Sequence, residues 1–299
     1  MRRTAAVVDV GSNTVRLLVA RRTSRRLVAT HTDGVRVGLG HDLEVQGRIS
    51  EPKVTEAAEA VRSLCSQARD RGVSSLDVVV TAPGRQAANR GDFVAALEDA
   101  ADQRVRVLSS EDEARLAFTG ALTTSRHKDG LVAVVDLGGA STDIAIGSRG
   151  SGPTWVRSAD LGALRLTTRM FRTLPPDPQD VDAARAAVSE AFAGLDPPPP
   201  AAAYVVGGSA RALRRVVGRS LGARELHTAV VLLAGYAPPE IAARFRVNDQ
   251  RASLLLAAAL ILEELQRQLG VPLKIAHGGI REGAALVALE ARSPIILAG

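Results

Sequence analysis

The chain has 299 residues, more than one ordinary core of ~100–200 residues holds and about right for two domains. Apolar residues make up 46%, charged residues 23% and aromatic residues 3%, which excludes wholesale disorder and leaves Val, Leu, Ile and Ala to fill α/β cores. The 38 basic residues exceed the 32 acidic ones by a modest +6, allowing an anionic ligand; no dense basic run with aromatics is present, so direct nucleic-acid readout is not expected.

Short apolar runs bounded by turn residues predict strands at 4–10, 15–21 and 26–32. Ser50 as N-cap and Pro52 in the first turn open a helix over 51–72, with Val54, Ala57, Ala58, Val61 and Leu64 at helical spacing. Strand 76–80, helix 85–102 and strand 105–108 follow, and Ser110 caps a helix from Glu111 to Thr123. The pattern then restarts with strands at 131–136, 142–147 and 153–158 and helices near 162–173 and 180–194. The Pro run 197–200 reads as an extended connector, AYVVGG (203–208) as a strand entering a glycine turn, and 210–217 as a helix. A long helix over 249–268, a short strand at KIAH and a closing helix at 281–291 complete the reading. The expected domains are 1–120 and 121–299, with the last helix, 286–299, packing back on the first.

Cys65 is the only cysteine, which excludes an internal disulfide and a thiolate metal cage. The basic start runs into Asp9 after four apolar residues, unlike a signal peptide, and the longest apolar stretch, 252–262, is too short to span a bilayer. A soluble cytoplasmic protein without membrane attachment is therefore expected. All but three of the basic residues (Lys53, Lys128, Lys274) are arginines, whose planar fork grips phosphate bidentately. The five histidines, His31, His41, His127, His227 and His277, are scattered singly and read as surface or core residues.

VVDVGSNT (7–14) and VVDLGGAST (134–142) repeat one pattern: an apolar run, an Asp, then glycine and small hydroxyl residues. Asp9 and Asp136 stand 127 residues apart, a spacing suited to a duplicated domain. Such turns point backbone N–H groups into one concavity that suits phosphate oxygens. An Asp before the first Gly would repel phosphate unless a cation lies between, a role that suits Mg²⁺, which takes one or two carboxylates and keeps several waters. Either turn alone reads better as an ordinary hairpin; both at equivalent positions favour a phosphate site. In SSEDEARL (109–116), Glu111, Asp112 and Glu113 either suit the helix dipole or place one carboxylate in the cleft to direct a water. VVGGSARAL (205–213) is a strand–glycine–helix junction of the anion-binding kind, and GGIREGAAL (278–286) caps the last helix.

At these residues the sequence resembles the exopolyphosphatase/guanosine pentaphosphate phosphohydrolase (Ppx/GppA) family of the actin-like superfamily. VVDVGSNTVRLLV, VGLG with GRIS, TAPGRQAAN, SEDEARL, VVDLGGASTD, LGALRLT, GGSARAL and GIREG follow the family's blocks in order. The resemblance implies an α/β fold of two duplicated actin-like (ribonuclease H-like) domains with a cleft between them. It implies that Glu113 is the catalytic base, that Asp9 and Asp136 place a metal, and that Arg85 lies in the phosphate channel. Gly11, Ser12, Asn13 and Arg16 from one turn, and Gly138, Gly139, Ala140 and Ser141 from the other, would hold the terminal phosphate. Gly208, Arg211 and Arg281 would bind more of the chain. Mg²⁺, or Mn²⁺, is expected near Asp9, Asp136 and Asp143, and a homodimer is the assembly the resemblance suggests.

Asp143 stands where the family has Glu, shortening the reach by about one bond, ~1.5 Å; Ala140 replaces a glycine and Ala82 a serine. The sequence lacks the C-terminal helical domains of long members, so short-chain substrates are expected. The reading is a hydrolase of terminal phosphate from inorganic polyphosphate. Alternatives are a pppGpp phosphohydrolase of the stringent response, a non-catalytic polyphosphate or ppGpp sensor, and an ATP-using kinase or filament ATPase of the same superfamily.

Overall fold

The structure, a computed structural model, describes residues 3–23, 26–125 and 129–290. The expected closing segment beyond 290, together with His127 and Lys128, lies outside the described residues. No helix among the described residues is long and apolar enough to cross a membrane.

The first half runs β1 (Thr4–Val10), β2 (Thr14–Arg22), β3 (Leu27–Arg36), α1 (Leu39–Gln46), α2 (Glu51–Asp70), β4 (Ser75–Val80), α3 (Ala82–Gln86), α4 (Arg90–Ala101), β5 (Arg106–Val107) and α5 (Ser110–Leu122). The second runs β6 (Val132–Leu137), β7 (Thr142–Ser148), β8 (Gly152–Ala159), α6 (Ala163–Met170), α7 (Pro178–Ala191), β9 (Ala202–Val206), α8 (Gly208–Val217), β10 (Ser220–Leu221), α9 (Ala223–Ala234), α10 (Pro238–Phe245), α11 (Asp249–Ala252), α12 (Leu255–Leu269), β11 (Leu273–Ile275) and α13 (Ile280–Glu290).

Two sheets result, ordered β3-β2-β1-β4-β5 and β10-β11-β9-β6-β7-β8. In each, the first three strands form an antiparallel meander and later strands join parallel to the first, except the short β10, which runs antiparallel to β11 at the sheet edge. The duplication is close. The 127-residue offset carries β1 to β6, β2 to β7, α2 to α7 and the end of β4 to the end of β9. Helices α9–α12 enlarge the second half, where α12 buries most of its length in the largest core cluster.

Each sheet has one face covered by its own helices and the other by a helix from elsewhere. Val8, Val10, Leu17 and Val80 pack with Val61 and Leu64 of α2 and Phe93 and Leu97 of α4. The opposite face, Ala5, Val7, Leu18 and Ala20, is covered by Ala284 and Ala285 of α13. Conversely, Ala114, Ala117 and Phe118 of α5 lie on Val132, Val134 and Ala145 of the second sheet. By packing, α5 therefore goes with the second sheet, although the division expected at 120 assigns it to the first.

Local chemistry explains where helix ends differ from expectation. Ser109 rather than Ser110 caps α5, accepting from the Asp112 N–H (3.0 Å) in a reciprocal capping box. Ser50 holds the N-cap position of α2, yet its hydroxyl goes to Asp42 Oδ2. The helix expected over 85–102 is split, because the Asn89 amide pairs with both backbone groups of Ile49 (3.0 and 2.8 Å) and turns the chain between α3 and α4. The helix expected over 249–268 is likewise divided into α11 and α12.

Candidate active site

The two Asp-Gly turns have the same hydrogen-bond frame. Gly11 N–H donates to Thr14 O (3.1 Å), and Gly138 N–H donates to Ser141 O (3.0 Å). They face each other closely: a Cβ on Gly139 would lie 3.4 Å from Cβ of Ser12. Asn13 Oδ1 accepts from Gln250 Nε2 (3.2 Å), a further contact between the halves.

A cavity of about 180 Å³ opens between the turns. It is lined by Asp9, Gly11, Ser12, Asn13, Arg16, Glu113, Asp136, Gly138, Gly139, Ala140, Ser141, Asp143, Gly208, Arg211 and Arg281, so the fold brings these expected residues together. Arg85 is the exception. It does not line the cavity; it stands behind Glu113, ion-paired to Oε1 through Nη1, which also donates to Leu108 O (2.7 Å). Thr81, which opens the TAPGRQAAN block, also lines it, as do Ser209, Gln250, Arg251 and Glu282, none of which the sequence reading assigns to the site. Thr81, Ser209 and Glu282 sit inside the blocks quoted above, whereas Arg251 is the third residue of a four-residue helix with no motif around it.

The duplication carries an asymmetry of charge. Opposite Asp9 on the neighbouring strand stands Arg16; opposite Asp136, at the equivalent position, stands Asp143. The first turn thus carries a cation for an anionic ligand, while the second carries an acidic pair.

Burial and repulsion act on these carboxylates. Burial, then Asp143 and Asp9, push Asp136 up to about 7. Burial likewise raises Asp143 to about 6 against the opposing hydrogen bonds of Ser158 and Ser141 and the charge of Arg85. Glu113 is raised well above the usual carboxylate range, by burial first and Asp143 second, with Arg85 opposing. Asp9 is raised by burial despite Arg281 and Arg16. On the cationic side, burial and then Arg16, Arg211 and Arg36 pull Arg251 down to about 10, still fully protonated at neutral pH.

Asp9 Oδ1 and Asp143 Oδ1 are buried with no hydrogen-bond partner. Such orphaned carboxylate oxygens suit a hard divalent cation. Among the described residues, no three His, Cys, Asp or Glu side chains converge on one metal position, so Asp9, Asp136 and Asp143 do not make a closed cage. An open Mg²⁺ site, with one or two carboxylates and the rest water or substrate oxygen, does fit the residues present.

A model described as the Ppx/GppA phosphatase family matches residues 18–291. The chain is similar to the crystal structure of the Aquifex aeolicus member of that family, at 24% identity and TM-score 0.84, over 98% of this chain and 100% of that one. An exopolyphosphatase from Cytophaga hutchinsonii is 19% identical, with TM-score 0.85 over 96% of this chain and 98% of that one. An exopolyphosphatase-like protein is 22% identical, with TM-score 0.86, covering 96% and 97%. At these identities the likeness is one of fold: two actin-like α/β domains with a cleft between them.

Proposed function

The chain belongs to the Ppx/GppA phosphatase family, and from that premise we propose that it is an exopolyphosphatase, releasing the terminal phosphate of inorganic polyphosphate with Mg²⁺ (Mn²⁺ can substitute). The observation that carries this reading is the buried Glu113 carboxylate, ion-paired to Arg85, in the same cavity as two facing phosphate-type turns.

The backbone N–H groups of Ser12, Asn13 and Ser141 and the hydroxyls of the two serines would hold the terminal phosphoryl group between the halves. Glu113 accepts a proton from a water aimed at phosphorus, and the bridging P–O bond opposite that water breaks, leaving a chain shorter by one phosphate. A raised pKa makes Glu113 a stronger base than an exposed carboxylate, and Arg85 favours its ionised form. Arg16, Arg211 and Arg281 offset the negative charge of the phosphates. Asp9 and Asp136, with Asp143 beside them, would hold Mg²⁺; when bound, it neutralises phosphate oxygens and polarises the reacting centre.

A second reading, a polyphosphate or guanosine-phosphate sensor, is favoured by the short Asp143 and by Ala140, buried at 2% exposure within the second turn. The deciding measurement is phosphate release from polyphosphate and from pppGpp with added Mg²⁺, beside Glu113→Gln. Release that falls about 10²–10⁴-fold in the variant, while polyphosphate binding persists, supports the hydrolase. Release unchanged in the variant would overturn Glu113 as base, and binding without release by the unaltered protein would establish the sensor.

A further inference from the structure

The ion pair between Glu113 and Arg85 joins the two halves. Glu113 belongs to α5, whose Ala114, Ala117 and Phe118 lie on the second sheet. Arg85 belongs to α3, a five-residue turn that follows β4 of the first sheet, and its Nη1 also donates to Leu108 O (2.7 Å). Both hydrogen bonds leave from Nη1, whereas Nη2 is buried with no partner among the described residues. The guanidinium is thus fixed at one atom, and its direction depends on how α3 is seated. A turn this short gains little from its own hydrogen bonds, so contacts with its surroundings must seat it. On the side of the first half, Gly84 brings it close over β4: a Cβ there would lie 2.6 Å from Cγ1 of Val80.

From the second half, α3 is held through Gln86. Successive residues of a helix project ~100° apart, so Gln86 turns away from Glu113 to the segment between β8 and α6. Its Nε2 donates to Asp160 Oδ1 (2.7 Å), and its Oε1 accepts from Arg165 Nη2 (2.7 Å). Arg165 Nη1 donates to Asp160 O (3.0 Å), closing a ring in which both polar ends of the amide are used. The same segment supports the second phosphate-type turn, through the Leu164 and Arg165 N–H groups on Gly139 O (2.9 and 3.0 Å). Arg165 already spans the halves through Glu44, without Gln86. What the amide adds is a link from this support to the one helical turn that carries Arg85.

We propose that Gln86 is a positioning residue: by docking α3 on Asp160 and Arg165 it sets Arg85 against Glu113, so that the base is assembled only while the two halves are apposed. The inference rests on the hydrolase reading above and adds to it a residue that acts through Arg85 and touches no substrate.

Gln86 is half-buried, and leucine fills nearly the same space while removing both bonds. Phosphate release from polyphosphate with Mg²⁺ is measured for Gln86→Leu, for Arg85→Met and for the two together. Gln86→Leu should lower kcat about ten- to a hundredfold with KM unchanged, the effect of a ~1 Å displacement in the reacting geometry. In the Arg85→Met background it should lower kcat by no more than about twofold, because its effect passes through Arg85. Equal losses in both backgrounds, an unchanged kcat, or a change confined to KM overturns the proposal. Should Gln86→Leu disturb folding, Gln86→Glu is compared with Gln86→Glu combined with Asp160→Asn. The single change sets two carboxylates together and should lower kcat; the pair exchanges donor and acceptor and should restore it, and no recovery in the pair overturns the proposal. If the unaltered protein releases no phosphate, the hydrolase reading fails on its own. The seating of Arg85 is then tested by the unfolding midpoints of Gln86→Leu, Arg85→Met and the double variant, where additive losses overturn it.

Discussion

Three acidic residues stand in a row at 111–113, and the fold gives each a different task. Glu111 pairs on the surface with Arg115 one turn on, and Asp112 closes the capping box with Ser109. Only Glu113 turns inward, to Arg85 and the cavity. Because Arg85 opposes burial and Asp143 in setting the ionisation of Glu113, removing it leaves both unopposed and moves the pKa upward. The base must be ionised, so Arg85→Met should shift the acidic limb of the kcat/KM–pH profile to higher pH, costing about tenfold at a fixed acidic pH for each unit. A lower kcat with an unmoved limb would show that Arg85 acts on substrate instead. Motifs made Glu113 and the two turns legible in the sequence, since glycine and hydroxyl spacing records backbone shape. The direction of the Arg85 side chain was not legible, nor was the part of Arg251, which depends on the chain returning to the cleft some 40 residues after Gly208.

Elements with a plain period were legible too: β1 spans the expected 4–10, and β2, α2, β7 and α8 differ by a residue or two. What escaped were α1, α9 and α10, whose start signals are masked. Gly38 and Gly222 precede α1 and α9 without a side-chain cap, and Pro238–Pro239, which reads as a break, occupies the first turn of α10. The crossing of α5 with α13 was also hidden, because it is specified by the absence of side chains. A Cβ on Gly120 would stand 1.9 Å from Gly279 O, and one on Gly283 would stand 2.0 Å from Leu116 O. Backbone is the obstacle in both cases, so the helices must separate to admit a methyl group. Gly283→Ala should lower stability by about 1–3 kcal/mol, read from denaturant midpoints. An unshifted midpoint would mean that the crossing yields freely.

At the scale of the molecule, the two turns are held at a fixed separation by a strut behind the cleft. The N–H groups of Ala163, Leu164 and Arg165 donate to the carbonyls of Gly138 and Gly139, tying α6 to the second turn. Gly40 N–H donates to Ser12 O (2.6 Å), tying the start of α1 to the first. Arg165 joins the two, through Nε to Glu44 Oε1 (2.5 Å) and through Nη2 to Gln86 Oε1 (2.7 Å), with side-chain exposures of 7% and 1% for Arg165 and Glu44. Arg165→Met strands the Glu44 charge with only the exposed Arg169 beside it and should cost about 3–5 kcal/mol of unfolding free energy. Arg165→Met with Glu44→Gln should recover a good part of that loss; a double variant no more stable than the single would show that the pair is not coupled.

The exchange of α5 and α13 between the sheets also bears on how the protein is made. A ribosome delivers the last strand of the first sheet, ending at Val107, well over a hundred residues before the helix from Ile280 that covers Ala5, Val7, Leu18 and Ala20. Throughout that interval the nascent chain presents a bare apolar face, open to misassociation. Translation arrested before residue 280 would leave a product that lacks its cover and belongs to quality control. Completion of both lobes is thus a single late event, with α13 as the closing piece.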